Sequence, residues 1–60
     1  MVKTVHVPNH HEDVVYNTKD IDEWQFDKTA VIGQGYRSGS MYMLIFNPDG
    51  TLDTENTFLI

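Results

Sequence analysis

Met41-Tyr42-Met43-Leu44-Ile45-Phe46 is the one long apolar run in this 60-residue chain, and Asn47-Pro48-Asp49-Gly50 ends it. A short apolar run bounded by turn chemistry reads as a buried strand. Side chains alternate across a sheet, so Met41, Met43 and Ile45 share one face, and Tyr42, Leu44 and Phe46 the other. A strand that is apolar on both faces calls for cover on both. A chain this short buries only about 60% of its unfolded surface, which rarely supplies two cores. The run therefore predicts a private core on one face and contact with something else on the other.

The flanking segments set its neighbours. Asn47–Gly50 fits a type I turn, with Pro48 second and Gly50 in the left-handed bulge position. The chain then returns as a strand over Thr51–Leu59, with Phe46 facing Leu52, Ile45 facing Asp53 and Met43 facing Glu55. On the other side, Arg37-Ser38-Gly39-Ser40 is turn chemistry and Thr29–Tyr36 reads as a strand. A two-residue turn at Ser38-Gly39 sets Tyr36 against Met41, Gln34 against Met43 and Ile32 against Ile45. The core face is then Val31, Tyr42, Leu44, Phe46 and Leu52, with Gly33 and Gly35 leaving room for a close approach.

Farther out, Val2–Val7 is rich in β-branched residues and reads as a strand ended by Pro8-Asn9. His10-His11-Glu12-Asp13 reads as a polar loop, and Val14-Val15-Tyr16 as a short strand paired with the first. In Thr18–Asp27, Asp20 and Glu23 have capping-box spacing, and Ile21 and Trp24 share a helix face. This predicts a helix of one to two turns, with Trp24 docked over Gly33 and Gly35. The expected fold is a single α+β domain over residues 1–60: an antiparallel sheet of four to five strands with one short helix on one face. The alternation of Trp24 and Phe26 supports the alternative, a small SH3-like β-barrel in which residues 18–27 are extended.

Charge narrows the function. Nine Asp and Glu against four Lys and Arg give a net charge of −5. The cations Lys3, Lys19, Lys28 and Arg37 are scattered, which argues against a phosphate-binding surface. No stretch reaches the roughly 20 apolar residues of a membrane span, and the N-terminus has no signal-peptide apolar run. With no cysteine, disulfides are excluded and the expected compartment is the cytoplasm.

Motifs for chemistry are weak. His6, His10, His11, Glu12 and Asp13 are metal-ligand types, but adjacent His10 and His11 do not easily reach one ion from an extended chain. No metal or cofactor is expected. Gly33-x-Gly35-x-x-Ser38-Gly39 departs from a dinucleotide fingerprint because it leads into a strand. Asn47–Thr51 departs from a calcium loop because Ile45 sits where the first acidic ligand belongs. Ser38 and Ser40 lack an elbow motif, and no enzyme is expected.

The best candidate is a surface made of Tyr36, Met41, Met43 and Ile45, edged by Asp53 and Glu55. Methionine adapts to irregular partners, and tyrosine is enriched at interfaces. The expected function is a non-enzymatic, self-associating interaction module that inhibits or regulates a partner protein. A second reading takes the acidic crowd of Glu12, Asp13, Asp20, Asp22, Glu23 and Asp27, in particular Asp20, Asp22, Glu23 and Asp27, as a mimic of DNA phosphates. A third takes Trp24, Tyr36, Tyr42 and Phe46 as a stacking platform for single-stranded nucleic acid.

Overall fold

The computed structural model describes residues 1–18 and 28–60. They form one antiparallel sheet of five strands in consecutive order: β1 (Val2–Val7), β2 (Glu12–Asn17), β3 (Thr29–Gly35), β4 (Met41–Phe46) and β5 (Phe58–Leu59). The β1–β2 connection is a 3-10 turn over Pro8–His10, closed by His11 in the left-handed conformation at φ 52°. Proline suits the first position of such a turn because its missing N–H would have no partner there.

Alternation sorts the residues as expected for β4. Tyr42, Leu44 and Phe46 are buried, and Met41, Met43 and Ile45 are half-buried to exposed. Val7, Val14 and Val31 complete the buried cluster, with Val5, Tyr16 and Leu52 packed against it. The Tyr16 and Phe46 rings lie 5.1 Å apart. All of these face one side, which we call the inner face.

The expected α+β class is overturned: the described residues hold an all-antiparallel sheet and no α-helix. Among the described residues, strands and turns pack over the core. The β1–β2 turn swings across the inner face, where His10 meets the Tyr42 ring edge-on at 5.2 Å and Asn9 donates to the Thr54 carbonyl at 3.2 Å. The space beside the glycines is also taken. A Cβ on Gly33 would lie 2.5 Å from Val14 Cγ1 and 2.9 Å from Leu44 Cδ1, and one on Gly35 would lie 2.7 Å from the Glu12 carboxylate. A substituted side chain at either position would displace these neighbours. Apart from Thr18, the expected helix over residues 18–27, including Trp24, lies outside the described residues. Nor is the sheet a closed barrel, because β1 and β5 do not pair with each other among the described residues.

Two registers also differ from expectation. In the β3–β4 hairpin, Gln34 faces Met41, Ile32 faces Met43 and Ala30 faces Ile45, a shift of two residues. The loop is Tyr36–Gly39, closed by Gly35 N–H to the Ser40 carbonyl at 2.7 Å, with Gly39 at φ 73°. A two-residue shift moves every pair but exchanges no faces, because the side-chain period is two. The core face is therefore the same in both registers.

The strand expected over Thr51–Leu59 is interrupted. It starts as read: Gly50 sits at φ 93°, Phe46 faces Leu52, and Asp53 N–H donates to the Ile45 carbonyl at 2.7 Å. It then leaves the sheet in a turn from Asp53 to Thr57 and returns as β5, so Met43 faces Phe58 rather than Glu55. Within the turn, Asp53 accepts from the N–H groups of Glu55 and Asn56. The Thr57 hydroxyl takes the place of a strand partner, accepting from Ile45 N–H at 3.1 Å.

Candidate functional site

Two arrangements stand out: a buried carboxylate at one end of the sheet, and an apolar outer face.

The buried carboxylate is Glu12, which is only 5% exposed. It opens β2 on the inner face, opposite Val7 and two residues before Val14. Its Oε1 accepts from the backbone N–H of Arg37 at 2.9 Å and of Ser38 at 2.7 Å. Its Oε2 accepts from the Ser38 hydroxyl at 3.0 Å and the Tyr42 hydroxyl at 2.6 Å. No cation pairs with it among the described residues, so these neutral donors hold its charge. The Tyr42 hydroxyl, followed by the Ser38 N–H, lowers its pKa to about 2. Tyr42 responds in the opposite sense: its bond to Glu12 and its burial raise its pKa.

Sequence reading placed Glu12 in a polar loop and an acidic surface, and both placements are corrected. It is a strand residue with its carboxylate inside. The arrangement explains the wide β3–β4 loop, because Arg37 and Ser38 turn their N–H groups inward to reach Glu12. Carrying the alternation of Val14 and Tyr16 back two positions would have put Glu12 on the core face. Its partners lie 25 to 30 residues away, and nothing local marks them.

The histidine group is dispersed. His6 Nδ1 pairs with Asp13 Oδ1 at 2.9 Å, His10 packs on Tyr42, and the His11 carbonyl accepts from Arg37 Nη2 at 2.8 Å. Among the described residues, no three His, Cys, Asp or Glu side chains converge as metal ligands would. Beside them lies a cleft of about 270 Å³ lined by His6, His11, Glu12, Asp13, Tyr36 and Arg37. It is slightly smaller than the roughly 300–1,000 Å³ usual for small-molecule sites.

The outer face carries four of the residues singled out from sequence. Met41, Met43 and Ile45 line β4, with Ile32 beside Met43 on β3 and Phe58 beside it on β5. Ile32 is 44% exposed, Met41 43% and Phe58 52%. Tyr36 is 77% exposed in the loop, and Gln34 stands opposite Met41 where Tyr36 was expected. The acidic edge is divided. Glu55 is exposed. Asp53 is bound by Lys28 and by the Asn56 side chain, and its pKa falls to about 2 because of them. Phe58 was missed because the strand was read through the Asp53–Thr57 turn, which exchanges its face. Asp20, Asp22, Glu23 and Asp27 lie outside the described residues.

No helix among the described residues is long and apolar enough to cross a membrane. The chain matches no protein-family model, and no curated protein or solved structure matches it significantly.

Proposed function

We propose that this chain is a small, non-enzymatic protein-interaction module that docks a partner protein on the outer face of its sheet and thereby inhibits or regulates it. The carrying observation is the adjacency of Ile32, Met41, Met43 and Phe58 across three strands, three of them more than 40% exposed. Contiguous exposed apolar surface marks interaction sites, and methionines suit a face that must mould to its partner. The net charge of −5 favours a partner whose apolar patch is fringed by basic residues.

The test uses Ile32→Asp and Met41→Asp. Both side chains are half-exposed, so the melting temperature should stay within a few degrees of wild type. Proteins captured from the native host by the wild-type chain, then purified, should bind each variant at least tenfold more weakly. Unchanged affinity in both variants would exclude the outer face as the docking site.

A further inference from the structure

Two hydrogen bonds fix the direction of every backbone group in β1. Thr18 N–H donates to the Met1 carbonyl at 2.8 Å, and Tyr36 N–H donates to the Asp13 carbonyl at 2.8 Å. In an antiparallel ladder, alternate residues exchange both bonds with the neighbouring strand, and the residues between them point the other way. Met1 bonding toward Thr18 makes Lys3, Val5 and Val7 the residues that bond Tyr16, Val14 and Glu12 in this register. Asp13 bonding toward β3 gives the same phase from the other side of β2. Val2, Thr4 and His6 therefore aim their N–H and C=O groups away from the sheet. These groups meet no partner among the described residues.

Edge strands are usually blunted by proline, bulges, charge or short length. β5 is blunted by length, having two residues. β1 has six, with no proline and an unbroken register from Val2 to Val7. Lys3 is its one formal charge.

We propose that β1 pairs antiparallel with β1 of a second copy, about a two-fold axis through Thr4, joining two sheets into one. In this register Thr4 faces Thr4, and Val2 faces His6 of the second copy. Every outward residue then exchanges both of its backbone bonds. A shift of two residues either way leaves one outward residue of each strand unmatched. Charge also selects this edge. Copies carrying −5 repel one another, yet residues 1–10 contain no Asp or Glu. Lys3 lies opposite Val5 of the second copy, so no like charges face each other. The interface is separate from the outer apolar patch on β3, β4 and β5, so either can fail without the other.

The experiment is sedimentation equilibrium from micromolar to millimolar concentration. Wild type should pass from monomer to dimer. Thr4→Asp and Thr4→Lys each place like charges on the two-fold axis, so each alone should remain monomeric. Thr4 is exposed, so both should keep the wild-type circular dichroism. An equimolar mixture of the two should dimerise again, because only this register sets residue 4 against itself. Met43→Asp should leave the dimer intact. A wild type that stays monomeric, single variants that dimerise like wild type, or a mixture that does not recover the dimer would each overturn the proposal. Loss of the dimer in Met43→Asp alone would move self-association to the outer face.

Discussion

Glu12 and Asp53 are both carboxylates that gather the backbone N–H groups of a turn, yet they do different work. Asp53 binds the N–H groups of Glu55 and Asn56, two and three residues away, and its longer reach is a side-chain ion pair with Lys28. Glu12 binds Arg37 and Ser38, across two strand boundaries, and sets the loop that joins β3 to β4. Its carboxylate is buried, and the glycine beside it is required by contact, while the Asp53 side chain is 11% exposed and the Glu55 and Asn56 it binds are exposed. A local tie fixes a loop. A long-range tie fixes how strands are registered, and removing it disturbs the sheet.

The comparison can be broken most severely at Glu12. Glu12→Ala leaves the inward N–H groups of Arg37 and Ser38 and the Tyr42 hydroxyl without an acceptor, and unsatisfied buried donors are costly. The melting temperature should fall by about 10 °C or more, read by circular dichroism, given the steep response of small domains. Next comes Gly33→Ala, whose Cβ meets Val14 and Leu44. Overpacking of this kind costs about 1–3 kcal/mol in chemical denaturation.

Acid should sharpen the contrast. Both carboxylates have folded-state pKa values of about 2, below their ordinary values of 4.5 and 3.8. A depressed pKa gives stability that is complete above the ordinary value and is lost as pH falls toward the folded one. Melting temperature should thus be flat near neutrality and decline between about pH 5 and pH 2. Glu12→Gln should start lower and decline less. Asp53→Asn should lower the melting temperature by only a few degrees, since its backbone bonds are local and its distant partner, Lys28, is half-exposed. The smallest effect belongs to His11→Gly, which relieves a left-handed non-glycine residue and should stabilise by about 1 kcal/mol or less in urea melts.

The same distinction of range explains what sequence could reveal. Strand β4, its two faces and the left-handed Gly50 follow from period two and turn chemistry, which are local. The β3–β4 part of the inner cluster, Val31, Tyr42, Leu44 and Phe46, is legible for that reason and an even register shift leaves it intact, whereas Val7 and Val14 join it only through the β1–β2 and β2–β3 pairing. The Tyr36–Gly39 loop was misread because its length is set by Glu12, whose partners cannot be found by spacing. Phe58 was lost to the outer face because an Asp-Thr-Glu-Asn-Thr stretch can be strand or turn, and Asp53 resolves it through bonds that composition does not specify. The outer residues Met41, Met43 and Ile45 were found because apolarity on both sides of one strand is visible without a structure.

The tie from Glu12 to the β3–β4 loop also bears on time. Among the described residues, each strand pairs only with the one before or after it in the chain, and such near-neighbour pairing favours rapid folding. The Glu12 bonds need β2 docked and the β3–β4 loop already closed, so they form after the hairpins. Interactions made late, beyond the rate-limiting barrier, govern how fast the native state is lost and barely alter how fast it is reached. In a chevron experiment, Glu12→Gln should shift the unfolding limb to faster rates at unchanged slope and leave the folding limb close to wild type. The buried carboxylate would then be the clasp that determines how long this small sheet stays closed.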